Sequence, residues 1–466
     1  MAVRTAENSH VNFRHNLRMM VIVRHFMSTS RAAEKELREK LRSFRQRVFY
    51  GWSIVLAAFL NLFFSVGIVY YGFPVFYPSI VDSLGFTRSQ LTQGFLLGFV
   101  CAGLLFGVFA GALIDRLGSR QVIRIGIWCV GVPLILMGSM TRLWQYYLLC
   151  VAEVFGYVLT GPIPNQVLIS SWFRMKRGRA MGTAYLGLGV GGAISPLLIN
   201  SLIQNFGWRH AFEIVGVLIL IVLFPVSQWI TRSRPSELNL LPDGTLPTES
   251  ANDPASSEEV SAAGVGVMRA VRSTNFWLIV AGCTLTIGAI GAVTQHLILF
   301  LVGRGYSLGS ASHVSSALLL SSLAGRVVVG HFADRYSRKN VMALFYLVLA
   351  LAIPLLLVAE RPAALWAFAL LYGFAMGADY MLIPLVTADC FGLSALGKIL
   401  SLIIMGYSTG QWFAPWLTGR IFDIRHTYDL AWIIMSAAAV VGAALIYLIT
   451  PDQHPVVGKH TSVPGN

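Results

Sequence analysis

The sequence predicts an all-α membrane protein of twelve transmembrane helices in two pseudo-symmetric six-helix bundles. Three observations predict it: an overwhelmingly apolar composition, uncharged runs that recur at the length of a membrane span, and one charged loop motif that occurs twice. Of 466 residues, 56% are hydrophobic and only 12% are charged, with a mean hydropathy of +0.67. A soluble domain of this size would need far more charge to cover its surface. A spanning helix needs about 20 mostly apolar residues, and the chain has room for many.

The first segment, residues 1–47, is polar and basic, with 11 Lys/Arg against four Glu. Arg31–Arg47 reads as a juxtamembrane helix on the cytosolic side, rich in helix formers with Glu and Lys or Arg at helical spacing. It lacks the apolar core of a cleavable leader. Met27 offers an alternative start, which leaves open whether the first 26 residues belong to the protein.

Largely uncharged runs follow near 50–80, 89–114, 122–141, 143–171, 180–203 and 210–231, making a first group within 48–231. A polar stretch rich in Ser, Pro and acidic residues, 232–273, has the composition of a linker. A second group within 274–450 has runs near 274–301, 309–333, 340–359, 362–388, 397–419 and 429–450, before a short tail, 451–466. Lipid offers the backbone no hydrogen-bond partners, so each run should be a helix. Prolines such as Pro74, Pro133, Pro196, Pro384 and Pro415 are compatible with that, because bundled membrane helices tolerate them.

Charge placement sets the expected orientation. With the N-terminus in the cytosol, the inside segments carry 27 of the 35 Lys/Arg, and the outside segments carry seven. The outside seven are Arg88, Arg142, Arg209, Arg304, Arg361, Arg420 and Arg425, and Arg326 lies within a span. Positive charge stays inside, so both termini are expected in the cytoplasm and the chain in the inner (plasma) membrane. The net charge of +14 thus reflects topology, and no nucleic-acid partner is expected. The five cysteines have no metal-ligand spacing and read as packing residues.

The repeated motif begins after the second run, where Gly111, Asp115, Arg116, Gly118 and Arg120 stand in Gly-Ala-Leu-Ile-Asp-Arg-Leu-Gly-Ser-Arg. After the eighth run, Gly330, Asp334, Arg335 and Arg338 repeat the pattern, with Ser337 where the first copy has Gly118. Such glycines let helices approach closely, and the charges at a helix exit can clasp a neighbour, favouring one conformation of a two-part machine.

This motif resembles the signature loop of the major facilitator superfamily, and the resemblance covers about residues 48–450. Tyr50-Gly51-Trp52, the Gly-Phe-Thr-Arg-Ser at 85–89, the Arg-Gly-Arg-Ala-Met-Gly at 177–182 and Phe206-Gly207-Trp208-Arg209 resemble its monocarboxylate-porter and oxalate–formate-exchanger branch. The resemblance implies a secondary carrier in the lipid bilayer for a small organic anion, a monocarboxylate, coupled to a proton or a counter-anion.

An ionisable group inside a span is a functional candidate by default. Arg326 lies eight residues before Asp334, so at 1.5 Å per residue it sits about 12 Å inside the membrane. In the resembling exchangers an arginine at this point of span eight contacts the substrate carboxylate, so that role carries over to Arg326. Two departures stand beside it. Span eleven has no lysine near Tyr407 and Gln411, which disfavours a dicarboxylate. Ser322 stands where animal monocarboxylate carriers place an aspartate.

Tyr70, Tyr71, Asn165, His296, Tyr407 and Gln411 are polar candidates for the same cavity, and Glu153 and Asp379 are candidates for coupling. Spans one, four, seven and ten line the pathway in the resembling family. The glycine series Gly187, Gly189, Gly191 and Gly192 predicts close helix contact. An alternative reading is an efflux carrier for a drug-like or cationic solute, with Asp379 or Glu153 as the recognition charge and Arg326 peripheral. No cofactor, metal or enzyme activity is expected: there is no nucleophile–base set and no phosphate-binding loop. A sensor without transport would need a signalling domain, for which the 42-residue linker is too short.

Overall fold

Helices begin as the apolar runs predict, and their irregularities mark the places where backbone chemistry changes. The structure, a computed structural model, describes residues 49–103, 113–114, 116–173, 175–238, 240–244, 266–392 and 395–450, without the side chains of Asp334 and Tyr380. Gly111 and Asp115 of the first loop motif, and the side chain of Asp334 in the second, therefore lie outside the described residues. So do residues 1–47 and 451–466.

The first run is α1 (Gly51–Leu62), which widens into a π-helical turn set over Phe63–Tyr70 and tightens at Phe73–Val75 around Pro74. Helix α2 (Tyr77–Leu84) completes it and stops at Gly85, whose φ of 69° suits a residue without Cβ. Thr87 then opens α3 (Arg88–Gly98) with a reciprocal capping box to Gln90. Next come α4 (Ser119–Met137), α5 (Leu143–Thr160) and α6 (Pro162–Trp172). Helix α7 (Arg177–Pro225) holds two expected runs in one. It breaks at Gly207, where φ 77° and ψ 158° are open to glycine and strained for other residues.

Beyond the linker, α8 (Val267–Val271) is a short lead-in to α9 (Thr274–Gly303) and α10 (Leu308–Arg335). Helices α11 (Arg338–Ala352), α12 (Pro362–Met376), α13 (Asp379–Phe391), α14 (Leu396–Arg425) and α15 (Asp429–Tyr447) complete the order. Among the described residues there is no strand. Nine helical segments there are long and apolar enough to cross a membrane, and one of them, Arg177–Ile230, has 54 residues. At 1.5 Å per residue that segment is about 80 Å long, more than twice a ~30 Å hydrocarbon core, so the bend at Gly207 divides it into two passes. The count of twelve is consistent with this.

Polar contacts tie the connectors together at each end. At one end Arg209 donates to the carbonyls of Gly138 and Met140 at 3.0 and 2.9 Å. Arg304 pairs with Glu360 and Asp429 at 2.8 and 3.0 Å. The Asp423 carboxylate accepts from the backbone N–H groups of Arg88 and Ser89 at 3.2 and 3.1 Å, so an α14 acid sits on the N-terminus of α3. At the other end Trp172 donates to Arg232 O, Arg338 pairs with Asp389, and Asn275 donates to Thr450 O. This sorting is what alternating passes require.

Close approach follows small residues. A Cβ on Gly187 would lie 2.2 Å from Phe59 O, and one on Gly191 would lie 2.4 Å from Phe63 O, so α7 lies against α1. A Cβ on Gly325 would lie 2.0 Å from Phe374 O, which brings the backbones of α10 and α12 together. With lipid as apolar as the core, such contact is a main source of helix association.

Candidate functional site

A cavity opens among the helices where these close contacts converge. Its lining consists of Tyr70 and Tyr71, Ile287 and Ile290 on α9, Arg326 on α10, Met376 on α12, Asp379 on α13 and Gln411 on α14. It is tight in this conformation, with no more room than a single water molecule needs.

Local chain geometry explains why the two charged residues meet there. Helices α12 and α13 are separated at Gly377 and Ala378. A Cβ on Gly377 would lie 2.3 Å from Ser322 O and 2.8 Å from Arg326 N, so the break presses directly on α10 at Arg326. Asp379 follows two residues later and enters the same cavity. From the other side, a Cβ on Gly189 would lie 3.1 Å from Arg326 Nη1. The guanidinium thus runs past a glycine on α7, where a larger residue would displace it.

Arg326 Nε is buried and has no hydrogen-bond partner among the described residues. Asp379 is 4% exposed, and its Oδ1 accepts from Tyr346 Oη at 2.8 Å. Direct ion pairs among the described residues join Arg304 to Glu360 and Asp429, and Arg338 to Asp389; none joins Arg326 to Asp379. A buried guanidinium N–H without an acceptor is costly, and an anion in the cavity would satisfy it. Tyr70 Oη accepts from Gln411 Nε2 at 3.1 Å, and the Tyr70 ring meets Tyr71 edge to face at 5.0 Å and Trp412 at 5.7 Å.

Five of the candidates named from the sequence therefore line one cavity: Tyr70, Tyr71, Arg326, Asp379 and Gln411. Four do not. Asn165 donates to Thr160 O and Gly161 O at 2.7 and 2.8 Å, holding the break between α5 and α6, and accepts from Asn61. His296 places Nε2 2.8 Å from Pro415 O and Nδ1 3.0 Å from Tyr428 Oη, in a pocket under the α3–α14 contact. Glu153 is buried on α5 and Tyr407 on α14, both apart from the lining. The sequence reading missed Ile287, Ile290 and Met376, which carry no polar signal, and Tyr346, the hydroxyl partner of Asp379.

In the loop motifs, Arg116 is exposed, Gly118 has a φ of 78°, and Arg120 donates to Ser227 O at 3.2 Å and to Gln228 O. Gly330 lies near Met381, Arg335 is exposed in the last turn of α10, and Arg338 pairs with Asp389 of α13.

The family model of the Major Facilitator Superfamily matches residues 19–167, 59–325 and 304–465. The chain belongs to the Major Facilitator Superfamily. Within this superfamily it is similar to the MFS transporter asaE of Aspergillus flavus, 27% identical over 80% of both chains. It is also similar to monocarboxylate transporter 13 of Bos taurus, 25% identical over 85% of this chain and 88% of that protein. A solved bacterial homolog of the human lysosomal transporter Spinster, inward-facing and occupied, shares the fold with a TM-score of 0.61 at 16% identity, covering 87% of this chain and 96% of that one. The chain is therefore a multi-pass membrane transporter of small solutes, similar to the monocarboxylate branch of the superfamily.

Proposed function

We propose that the protein is a secondary active carrier of a small organic anion, a monocarboxylate, working by alternating access. One observation carries this: Arg326 lines a narrow cavity with Ile287, Ile290 and Met376, and its buried Nε has no partner among the described residues. A carboxylate docking there accepts two parallel N–H bonds in a site with little water to compete. In this reading the two six-helix groups rock around the cavity, driven by proton symport or anion exchange. The N-terminus lies in the cytosol, and the connectors bearing Arg88, Arg142, Arg209 and Arg304 face outward.

Cation efflux is the competing reading. It is supported by Asp379 in the cavity, but it requires a peripheral Arg326, and Arg326 is part of the lining. Uptake by proteoliposomes of labelled lactate or formate, set against a lipophilic cation under imposed pH gradients, separates the two. Saturable uptake of a monocarboxylate is expected, and Arg326→Ala should lower it by about a hundredfold, the scale for losing a charged bidentate contact. Undiminished carboxylate uptake by that variant would remove Arg326 as the anchor.

A further inference from the structure

We infer that the preferred solute is zwitterionic: a small monocarboxylate that also bears an ammonium or alkylammonium group, held between Arg326 and Asp379. The inference rests on the carboxylate-anchor reading above, keeps its monocarboxylate, and adds a cationic group that leaves the solute without net charge.

The cavity holds one cationic and one acidic side chain that do not pair directly with each other. In a medium of low dielectric each needs a counter-charge. Arg326 has a buried N–H without an acceptor. Asp379 has one oxygen held by Tyr346 and enters the same cavity two residues after Gly377. A plain carboxylate would satisfy Arg326 while bringing a second negative charge into the cavity with Asp379. A lone cation would do the reverse. A solute carrying both charges answers both groups at once and adds no net charge to the site.

The rest of the lining agrees. Tyr70 and Tyr71 present two rings at 81° to each other, and aromatic faces attract ammonium groups. Ile287, Ile290 and Met376 suit a short hydrocarbon body between the two charges.

L-Alanine and L-lactate differ by an ammonium in place of a hydroxyl on the same carbon, and glycine betaine adds methyl groups to the cation. Each is tested as a competitor and as a labelled substrate with purified full-length protein in proteoliposomes. The wild type is expected to favour at least one zwitterion over lactate. Asp379→Asn should lower the zwitterion-to-lactate affinity ratio by about tenfold or more, as removal of one partner of a buried charge contact does. Asp379→Glu, which keeps the charge, should preserve the direction of the preference and guards against a folding defect in Asp379→Asn. Lactate preferred over both zwitterions by the wild type, or an unchanged ratio in Asp379→Asn, would overturn the inference and leave the carboxylate anchor standing. Arg326→Ala that still takes up lactate and alanine alike would instead remove the anchor itself.

Discussion

Arg326 shows how strongly a single position depends on its neighbours being small. Its guanidinium passes Gly189 on α7, its backbone N faces Gly377, and the adjacent Gly325 meets the Phe374 carbonyl. A Cβ on Gly325 would lie 2.0 Å from that oxygen, so Gly325→Val must push α10 away from α12. Overpacking of this kind costs about 1–3 kcal/mol. The expected outcome is a lower unfolding midpoint in detergent together with weakened carboxylate uptake. Gly178 has open space where a Cβ would stand, and Gly178→Ala should leave the stability within about 0.5 kcal/mol of wild type, the range for a surface change, and the midpoint nearly unmoved. Equal midpoints for the two variants would contradict this account of the α10–α12 contact. His296 is a second lesson at this scale: as a polar residue in an apolar run it looked available to a solute, but both ring nitrogens are engaged by Pro415 and Tyr428.

At the scale of elements, the contact between α3 and α14 is a polar junction between helices on either side of the linker. Asp423 caps the α3 N-terminus, the Arg88 guanidinium stacks 3.5 Å above the Phe422 ring, and Thr92 donates to Pro415 O at 3.4 Å. Gly419 permits it, since a Cβ there would lie 2.8 Å from Ser89 Cα. A carboxylate at a helix N-terminus contributes about 1 kcal/mol, and that is enough to change a two-state ratio about fivefold. Asp423→Ala should therefore raise the population in which this end stands open. Spin labels on Ser139→Cys and Thr427→Cys, both exposed at that end, should report more of the longer distance in the variant. An unaltered distance distribution would show that the junction does not hold the end closed.

For the whole molecule, orientation is the property that charge placement predicts and packing leaves undecided. Hydrogen bonds sort the connectors into two sets at opposite ends, which any multi-pass chain would need. Which set faces the cytosol is an argument from Lys and Arg alone. In a cysteine-free background, Ser139→Cys or Thr427→Cys should react with a membrane-impermeant maleimide on intact cells. Gly178→Cys, exposed at the other end, should react only after permeabilisation. The reverse pattern would invert the orientation.

Some of this was legible in the residues alone. The helices of the described runs were, because a helix is the only way to satisfy an apolar backbone in lipid, and the runs needed no partner to be recognised; residues 104–112 of the second run lie outside the described residues. The close contacts of Gly187 and Gly191 followed from residue type in the same way, whereas the bend that Gly207 makes between the fifth and sixth runs was seen only in the structure. Arg326 stood out because a cation in an apolar run is rare. What only the tertiary structure decided is company. Asp379 and Glu153 are both buried acids on apolar helices, yet the break at Gly377 brings one to Arg326 and leaves the other on α5. That separation depends on how helices distant in sequence cross, and no local periodicity records it. The apolar lining residues Ile287, Ile290 and Met376 were equally silent, since in a membrane chain an aliphatic side chain facing lipid and one facing a solute are the same chemistry.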